Sequence, residues 1–333
     1  MDFDHIKHIH FVGIGGIGMS AMAEILAGEG VTVSGCDARR SASTRLMETR
    51  GVAVTIGHDP AHLDGVDLVV VTAAVKGESA EIAEAQARKI PVMRRAELLG
   101  QIVSRKRAVG VAGTHGKTTT SAMIACVLEE AGLDPTVLVG GIIRNFDSNA
   151  KRGHGQFLVV EADEYDRTFH HLHPEVAVVT NVEADHLEYY GSFEAIVEAF
   201  RIFLEGIPPG GLIVACQDDP AVAELLRFIG GSPTPHRIVR YGIGEGTDLR
   251  ARNLTFDERG SAFEIEGLGF FKLFVPGEHN VRNALAAIAV ARELGIEPQV
   301  IAMALARFLG VDRRFQILGD YAGAIIVDDY AHH

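Results

Sequence analysis

Two glycine-rich segments are the parts of this 333-residue sequence whose residue types and spacing most directly suggest chemistry. The second, Gly113–Thr119, reads GTHGKTT. Its backbone N–H groups can surround phosphates, Lys117 can reach the β and γ oxygens of a nucleotide, and the Thr118 hydroxyl can bind Mg²⁺. Val111 stands where the complete G-x-x-x-x-G-K-[ST] motif has its first glycine. The segment predicts an ATP site, and the alternative is an ordinary glycine-capped helix start.

The first glycine-rich segment, Gly13–Gly18, fits G-x-G-x-x-G between a predicted strand and a predicted helix. Asp37 lies nineteen residues beyond Gly18. In this context, backbone N–H groups and the helix N-terminus can face a diphosphate. Three interpretations stay open: an NAD or FAD site, a site for another diphosphate nucleotide, and a structural tight turn.

Carboxylates and a histidine follow the next apolar strands. Glu161 ends the run Phe157–Val160, and open α/β sheets bind ligands at the carboxyl ends of their strands, so Glu161 is predicted to hold Mg²⁺. His186 follows the next strand and is a candidate ligand of a second metal, or else a loop histidine satisfied by local hydrogen bonds. At least two of the acidic neighbours of Glu161 are expected to belong to a solvated loop; these neighbours are Asp163, Glu164 and Asp166.

Two groups of closely spaced histidines are not predicted to bind metal. The groups are His5, His8 and His10, and His170, His171 and His173. The first group alternates along a strand and predicts one exposed face, and the second crowds a loop. No cysteine or carboxylate spacing completes a coordination shell around either group.

The elements that must position these residues follow one repeated pattern. Short runs rich in Val and Ile alternate with helical patterns, which is typical of βαβ units around a parallel sheet. The strands Ile6–Val12 and Ala108–Ala112 each open a strand, glycine loop and helix, so we predict a domain boundary near residue 107. Between about 249 and 275 the pattern changes to antiparallel strands. Helices are predicted at 19–27, 96–104, 117–131, 192–207, 279–294 and 298–308.

Composition excludes several classes of protein. Hydrophobic residues make up 47% and no apolar run approaches the ~20 residues that span a bilayer. The formal charge of -13 repels nucleic acids and anionic membranes, so we expect neither as a partner. Three cysteines without metal-like spacing, and an N-terminus without a long apolar core, favour the reducing cytoplasm.

Seven spaced blocks resemble the ATP-dependent Mur ligases, in the family's order and over nearly the whole chain. The blocks are Phe11–Ser20 (FVGIGGIGMS), Gly113–Thr120 (GTHGKTTT), Glu161–Asp166 (EADEYD), Thr180–Leu187 (TNVEADHL), Pro276–Asn283 (PGEHNVRN), Gly310–Phe315 (GVDRRF) and Asp328–His333 (DDYAHH). The resemblance implies an α/β protein with a Rossmann-like UDP-sugar domain at 1–107 and a central P-loop ATPase domain with an antiparallel β element at 108–320. Residues 321–333 would start a C-terminal amino-acid domain. Because the chain ends there, we expect that domain to be absent and the chain alone to ligate poorly or not at all.

The resemblance also implies an activity: ATP and Mg²⁺ would be used to join L-alanine to UDP-N-acetylmuramate through an acyl phosphate, in peptidoglycan precursor synthesis. Lys117 would contact the γ-phosphate, Thr118 and Glu161 would hold one Mg²⁺, His186 would hold a second, and Arg314 would offset phosphate charge. The residues implied for ATP are Gly113, Thr114, His115, Gly116, Lys117, Thr118, Thr119, His279, Asn280, Asn283 and Asp329. Those implied for the UDP sugar are Gly13, Gly15, Gly16, Gly18, Met19, Ser20 and Asp37.

Three alternatives remain. A related ligase attaches recycled tripeptide to UDP-N-acetylmuramate and shares the ATP site, although its glycine loop departs from GIGGIGMS. An NAD-dependent oxidoreductase accounts for Gly13 to Asp37 but leaves Gly113–Thr119 without a role. A non-catalytic UDP-sugar sensor accounts for a missing third domain.

Overall fold

The chain forms two compact units, seen in a computed structural model that describes residues 5–72, 79–231 and 236–331. The first unit comprises residues 1–102 with 150–152, and the second comprises 103–149 with 153–333. Contacts therefore divide the chain after Ile102, whereas the sequence predicts a boundary near 107. Within the described ranges, no helix is both long and apolar enough to cross a membrane.

The described part of the first unit is built on a five-stranded parallel sheet of order β3-β2-β1-β4-β5. Its strands are β1 (His8–Val12), β2 (Thr32–Asp37), β3 (Ala53–Ile56), β4 (Leu68–Val71) and β5 (Val92–Arg94). The helices are α1 (Ile17–Gly28), α2 (Ala42–Thr49), α3 (Ala80–Arg88) and α4 (Arg95–Val103), with a 3₁₀ helix at Pro60–Leu63. The chain crosses from one side of β1 to the other between β3 and β4, which makes the end of β1 the place where such sheets bind ligands.

The predicted strand Ile6–Val12 is confirmed as β1, and α1 begins two residues before its predicted start. Gly18 lies inside the first turn of α1, where a residue of low helix propensity is tolerated. Helices α2 and α3 are not predicted, because their polar sequences carry few apolar residues at helical spacing. Serine caps start both: Ser41 accepts a hydrogen bond from the Thr44 backbone N–H, and Ser79 accepts one from Ile82.

The predicted exposed face of β1 is wrong at His10, of which only 1% is exposed. Period two does place His8 and His10 on one face of the strand, but alternation alone cannot tell an exposed face from a covered one. Here the 3₁₀ helix Pro60–Leu63 and helix α3 supply side chains that cover His10.

The described part of the second unit contains a ten-stranded sheet of order β15-β14-β13-β12-β11-β10-β6-β9-β7-β8. Its strands are β6 (Arg107–Ala112), β7 (Thr136–Ile143), β8 (Ser148–Lys151), β9 (Phe157–Glu161), β10 (Val176–Val179), β11 (Leu212–Cys216), β12 (Arg237–Gly242), β13 (Leu249–Phe256), β14 (Ser261–Ile265) and β15 (Gly269–Leu273). The helices are α5 (Lys117–Glu130), α6 (Leu187–Tyr190), α7 (Phe193–Glu205), α8 (Pro220–Gly230), α9 (Glu278–Glu293) and α10 (Pro298–Ala306), with a 3₁₀ helix at Tyr165–His171. A hairpin of β16 (Gln316–Tyr321) and β17 (Ala324–Asp328) follows.

Strand β6 is parallel to both of its neighbours, β9 and β10, so the carboxyl ends of all three strands meet at one edge of the sheet. The predicted antiparallel strands are confirmed as β13, β14 and β15. Helix α5 is buried on nearly all sides and packs against α9 and α10. Helix α7, predicted at 192–207, buries an apolar stripe that includes Ile196, Phe200 and Phe203. The packing of α5 against α9 and α10 fixes the start of α5, where the second glycine segment lies.

Candidate active site

The second glycine turn leaves β6 at Gly113 and enters α5 after Gly116, and both glycines are required by geometry. Gly113 has φ +142° and Gly116 has φ +81°, conformations that residues with a Cβ rarely adopt. A Cβ at Gly113 would overlap the hydroxyl of Thr180, and one at Gly116 would lie 2.6 Å from Asn283 Oδ1. The turn is therefore packed tightly between residues that follow β10 and residues of α9.

Residues that follow β10 hold the turn in place through its backbone. The Thr180 hydroxyl donates to the peptide oxygen of His115 at 2.6 Å, and Asn181 Nδ2 donates to the same oxygen at 3.0 Å. The His115 N–H in turn donates to Asn181 Oδ1 at 2.8 Å. These bonds fix the direction of the backbone amides without any ligand, which is the preorganisation that anion binding needs.

Lys117 lies at the mouth of the turn and is held by an anion. Its Nζ donates to the peptide oxygens of Gly113 at 2.6 Å and Thr114 at 3.1 Å, and lies 2.9 and 2.8 Å from the two carboxylate oxygens of Glu164. Glu164 is 3% exposed, and the Tyr190 hydroxyl donates to its peptide oxygen at 2.5 Å. Burial raises the pKa of Glu164, although Lys117 opposes the shift. Glu164 is therefore a buried partner of Lys117 and no part of a solvated loop, Asp163 is half-buried, and the side chain of Asp166 lies outside the described part of the structure.

Thr118 and Glu161 are brought together as predicted. The Thr118 hydroxyl lies 3.1 Å from both carboxylate oxygens of Glu161, and the Gly140 N–H donates to Glu161 Oε2 at 2.7 Å. The pair meets across 43 residues of sequence because β6 and β9 are parallel neighbours whose ends coincide. A hydroxyl and a carboxylate are the oxygen ligands that Mg²⁺ prefers, so these two residues fit that ion.

His186 lies beside the same cavity with φ +52°, between two carboxylates. Its Nε2 is 3.8 Å from Asp185 Oδ2 and its Nδ1 is 3.6 Å from Glu188 Oε1. The Tyr165 ring packs edge-on against the imidazole, with the ring centroids 5.2 Å apart. Both ring nitrogens thus face anions or solvent, and the side chain is 30% exposed.

The start of α9 supplies a polar chain to the opposite wall. The Thr120 hydroxyl donates to Asn283 Oδ1 at 3.1 Å, Asn283 Nδ2 donates to Asn280 Oδ1 at 3.2 Å, and Asn280 Nδ2 donates to the Pro276 peptide oxygen at 2.7 Å. Burial lowers the pKa of His279, so its imidazole is neutral at pH 7. A neutral ring beside amide groups suits a planar uncharged heterocycle better than a phosphate.

These side chains surround one cavity of about 620 Å³, within the size range of small-molecule sites. Arg314 and Asp329 complete its wall; the Arg314 guanidinium lies 5.6 Å from the Tyr330 ring centroid, and Asp329 Oδ2 accepts a hydrogen bond from the Phe315 N–H at 2.7 Å. The predicted residues found in the lining are Thr114, His115, Gly116, Lys117, Thr118, Thr119, Glu161, His186, His279, Asn280, Asn283, Arg314 and Asp329. The structure therefore places nearly all of the residues predicted to bind ATP around one cavity.

A second cavity of about 400 Å³ adjoins the turn and was not predicted. Asp218 organises its wall, because its carboxylate accepts hydrogen bonds from the N–H groups of Ile243 and Gly244 and from Arg282 Nε at 3.0 Å. The sequence signal was weak: Asp218 follows a strand end, but its partner Arg282 lies 64 residues away.

The first glycine turn, in the other unit, is anchored by Cys36 and Asp37. The N–H groups of Gly13 and Ile14 donate to the Cys36 peptide oxygen at 2.8 and 3.0 Å, and the Gly15 N–H donates to Asp37 Oδ2 at 2.9 Å. Gly13 has φ +85°, and Gly16 caps α1. Asp37 therefore lies beside this turn, with one carboxylate oxygen bonded to it.

Arg95 lies beside the first glycine turn and was not predicted from the sequence. Its Nη1 lies 3.1 Å from where a Cβ at Gly18 would be, so its guanidinium covers the first turn of α1. Arg95 follows β5 directly, and a cation at the carboxyl end of a parallel strand was the signal that could have revealed it.

A parallel strand, a glycine turn, a helix that begins with lysine and threonine, and a carboxylate at the end of the neighbouring strand define a P-loop nucleotide-binding protein. Family profiles identify the group within that class: the profile described as "Mur ligase middle domain" matches residues 111–291, and "Mur ligase family, catalytic domain" matches residues 8–107. The chain belongs to the Mur ligase family.

Relatives with known names agree with this assignment. UDP-N-acetylmuramate--L-alanine ligase of Bradyrhizobium sp. (strain ORS 278) is 45% identical over 98% of this chain and 72% of its own length, and that of Phenylobacterium zucineum is 46% identical over 98% and 70%. The crystal structure of UDP-N-acetylmuramate-alanine ligase MurC from Thermotoga maritima superposes with a TM-score of 0.83 at 33% identity, covering 99% of this chain and 75% of that one. UDP-N-acetylmuramate:L-alanyl-gamma-D-glutamyl-meso-diaminopimelate ligase from Neisseria meningitides gives 0.81 at 34%, covering 92% and 100%.

Proposed function

We propose that this protein uses ATP to join L-alanine to the carboxylate of UDP-N-acetylmuramate, a cytoplasmic step in peptidoglycan precursor synthesis. One observation carries the proposal. Lys117, Thr118, Glu161 and His186 line one cavity in a chain that is 45% identical to a ligase named for this reaction. Residues 1–107 would bind the UDP sugar, and residues 108–320 would bind ATP.

Lys117 and Arg314 are assigned to the charge on the transferring phosphoryl group. Lys117 would contact the γ-phosphate from its place at the mouth of the turn, and Arg314 would approach from the opposite wall of the cavity. The remaining turn residues would enclose the phosphates through backbone N–H groups. Catalysis of phosphoryl transfer is mainly positioning and electrostatic stabilisation, which these fixed donors supply.

Thr118 and Glu161 would hold Mg²⁺, and His186 would ligate a second ion. The two oxygen-bearing side chains lie 3.1 Å apart, and the protein's formal charge of -13 makes added positive charge necessary beside polyanionic substrates. When bound, Mg²⁺ supplies that charge to the phosphate oxygens. His279, Asn280 and Asn283 would surround the adenine, and Asp329 would bind the ribose.

The proposed reaction has two steps. A muramoyl carboxylate oxygen attacks the γ-phosphorus, and the bond from that phosphorus to the β–γ bridging oxygen breaks. The products are ADP and an acyl phosphate. The amine of L-alanine then attacks the acyl carbon, phosphate departs with the carbon–oxygen bond electrons, and the amine loses a proton as the amide forms.

The first glycine turn would bind the UDP diphosphate through Gly13, Gly15, Gly16 and Gly18, with Met19 and Ser20 at the start of α1 nearby. In NAD sites the acidic residue after the turn bonds a ribose hydroxyl. Here one oxygen of Asp37 already accepts from Gly15, which favours a role in shaping the turn. Arg95 adds a cation beside the same turn.

The runner-up is the ligase that attaches a recycled tripeptide. Its support is the Neisseria meningitides structure, whose TM-score of 0.81 nearly equals that of the alanine ligase structure. Backbone similarity therefore does not separate the two activities, and the named sequence relatives favour L-alanine.

Trapping the acyl phosphate tests the proposal. The full chain is incubated with ATP, Mg²⁺, UDP-N-acetylmuramate and hydroxylamine, and the products are analysed by mass spectrometry. We expect the muramoyl hydroxamate and an equal amount of ADP, both lost without the sugar nucleotide. ADP formed independently of the sugar nucleotide would contradict the proposal.

A further inference from the structure

A buried cluster of four side chains lies in the first unit on the face of the sheet covered by α3. The cluster consists of His10 on β1, Cys36 on β2, His62 in the 3₁₀ helix Pro60–Leu63, and Glu81 in the first turn of α3. One potential ligand atom from each residue lies within 4.8 Å of all the others. We call this group the His10 cluster.

The His10 cluster contains buried polar atoms whose hydrogen-bonding capacity is unused. His10, Cys36 and Glu81 are each at most 1% exposed. Within the described residues, His10 Nε2, His62 Nδ1 and Glu81 Oε2 make no hydrogen bond, and the nearest charged atom to His62 Nδ1 is Glu81 Oε1 at 3.4 Å. Leaving one such atom buried and unpaired costs about 1–3 kcal/mol. Three such atoms in a cluster whose ligand atoms lie within 4.8 Å of one another indicate a missing binding partner that accepts lone pairs.

The other polar atoms of the cluster are hydrogen-bonded, and two of them bond each other: Cys36 Sγ donates to Glu81 Oε1 at 3.2 Å. His10 Nδ1 bonds Ser34 Oγ at 2.9 Å, which fixes the ring and leaves Nε2 as the nitrogen free to bind an ion. Glu81 Oε1 lies 3.0 Å from His58 Nδ1 and accepts from the Asp59 N–H at 3.2 Å. Metal-bound histidines and carboxylates are usually oriented by outer contacts of this kind.

The protonation states also suit coordination. Burial, with help from His62, lowers the pKa of His10 to about 4, so its imidazole is neutral at pH 7. Burial opposes ionisation of Glu81, but hydrogen bonds from its own backbone N–H, Cys36 and His58 outweigh burial and lower its pKa. Burial raises the pKa of the Cys36 thiol, and a bound cation would remove that proton.

We propose that His10, Cys36, His62 and Glu81 bind one divalent transition-metal ion of the zinc class in a closed four-ligand site. Two imidazoles, a thiolate and a carboxylate form a ligand set typical of tetrahedral Zn²⁺. Tetrahedral bonds of 2.0–2.3 Å place ligand atoms roughly 3.3–3.7 Å apart, so side-chain shifts of about an ångström complete the site. Binding breaks the Cys36 S–H bond and forms a metal–sulfur bond, and one proton leaves for solvent.

The site joins elements that are distant in sequence, so it would stabilise the first unit. It links β1, β2, the 3₁₀ helix and α3 at residues 10, 36, 62 and 81. The Cys36 peptide oxygen accepts hydrogen bonds from Gly13 and Ile14, so the ion would also stiffen the anchor of the first glycine turn. The proposed ligase reaction does not use the ion.

Metal titration of the full chain tests the proposal. Protein stripped with a chelator and dialysed is titrated with Zn²⁺, and separately with Co²⁺, whose thiolate complexes absorb by charge transfer from sulfur. We expect one tight equivalent of Zn²⁺, a rise in Tm, and a thiolate-to-cobalt band that Zn²⁺ displaces. Cobalt at Thr118 and Glu161 cannot give this band because that site has no sulfur.

Variants assign the band to the His10 cluster. Cys36→Ser should remove it, and His62→Gln, at a side chain that is 17% exposed, should weaken Zn²⁺ binding by at least about 100-fold, more than outer-contact changes usually do. Cys216→Ser and His154→Gln, outside the cluster, should leave both unchanged. Absence of stoichiometric zinc with no thiolate band, or a band that survives Cys36→Ser, would overturn the proposal. The His62→Gln comparison decides the question if Cys36→Ser does not fold.

Discussion

The ammonium group of Lys117 lies 2.8 Å from a carboxylate oxygen of Glu164, and their side chains are only 13% and 4% exposed. The same ammonium donates to the peptide oxygens of Gly113 and Thr114. Glu164 therefore holds the cation of the second glycine turn in place from inside the protein. An incoming phosphate would share or replace this partner, so the pair links the stability of the turn to nucleotide binding.

Lys117→Ala should reduce ATP turnover by at least about 100-fold, as loss of a transition-state charge contact does, while UDP-N-acetylmuramate affinity stays within about twofold. The residues proposed for the two ligands belong to different units, which is the reason for the expected separation. ADP release and calorimetric titration measure the two effects. Lys272→Ala, at an exposed lysine of the same unit, is the control. Unchanged ATP turnover in Lys117→Ala would contradict the assignment of Lys117 to the ATP site.

Glu164→Gln should change how stability depends on pH. Because burial raises the folded-state pKa of Glu164 above its ordinary 4.5, the folded state binds more protons than the unfolded state between these two values. The contribution of Glu164 to the free energy of unfolding is therefore fully present below pH 4.5 and is lost as pH rises through the folded-state pKa. In urea unfolding across this pH range, the free energy of unfolding of the natural protein should contain a term that falls as pH rises. The Glu164→Gln variant should lack this term. Identical profiles for the two proteins would contradict the burial argument.

Thr118→Val removes the hydroxyl that meets Glu161 and keeps the shape of the side chain. We expect affinity for ATP with Mg²⁺ to fall by about 10- to 100-fold, the value of a hydrogen bond or ligand contact to a charged group. Affinity for ATP in the presence of chelator should be unchanged, because the phosphate-facing backbone is intact. Equal losses with and without Mg²⁺ would mean that Thr118 does not hold the ion.

Gly113→Ala should destabilise the protein by about 2–4 kcal/mol. The backbone there has φ +142°, which alanine rarely adopts, and the new Cβ would overlap Thr180. Gly132→Ala is the matched control: Gly132 also has a positive φ, +72°, but no atom lies within 4 Å of a Cβ there. It should cost only about 1–2 kcal/mol. Chemical denaturation measures both, and equal costs would show that the contact with Thr180 is unimportant.

Arg95→Ala should weaken UDP-N-acetylmuramate binding by about 10- to 100-fold, the range expected for a lost charge-assisted contact to phosphate. ATP affinity should not change. Arg94→Ala, at the exposed neighbouring position, is the control and should bind the sugar nucleotide normally. Equal affinities for both variants and the natural protein would exclude Arg95 from this site.

The sequence was sufficient to predict the position of a residue that directly follows the end of a strand. The Thr118–Glu161 contact follows from two parallel strands that end together, and the glycine turns follow from their own spacing. The burial of Glu164 could not be predicted, because it depends on Tyr190 from a four-residue helix and on the reach of Lys117.

The His10 cluster was missed for a related physical reason. Spacing analysis finds metal ligands within one local segment, but this cluster draws them from four elements between residues 10 and 81. Period two correctly grouped His8 with His10, yet which neighbours cover that face depends on the packing of α3 and the 3₁₀ helix. Helices α2 and α3 escaped prediction because serine caps, more than apolar periodicity, mark where they start.

The most direct test of the central claim is calorimetric titration of this chain with UDP-N-acetylmuramate and, in parallel, with NADH. The first glycine turn is consistent in outline with either ligand, whereas the ligase assignment allows only the sugar nucleotide. We predict saturable one-to-one binding of UDP-N-acetylmuramate and no heat from NADH. Binding of NADH alone would contradict the proposed function and return the first turn to the dinucleotide class.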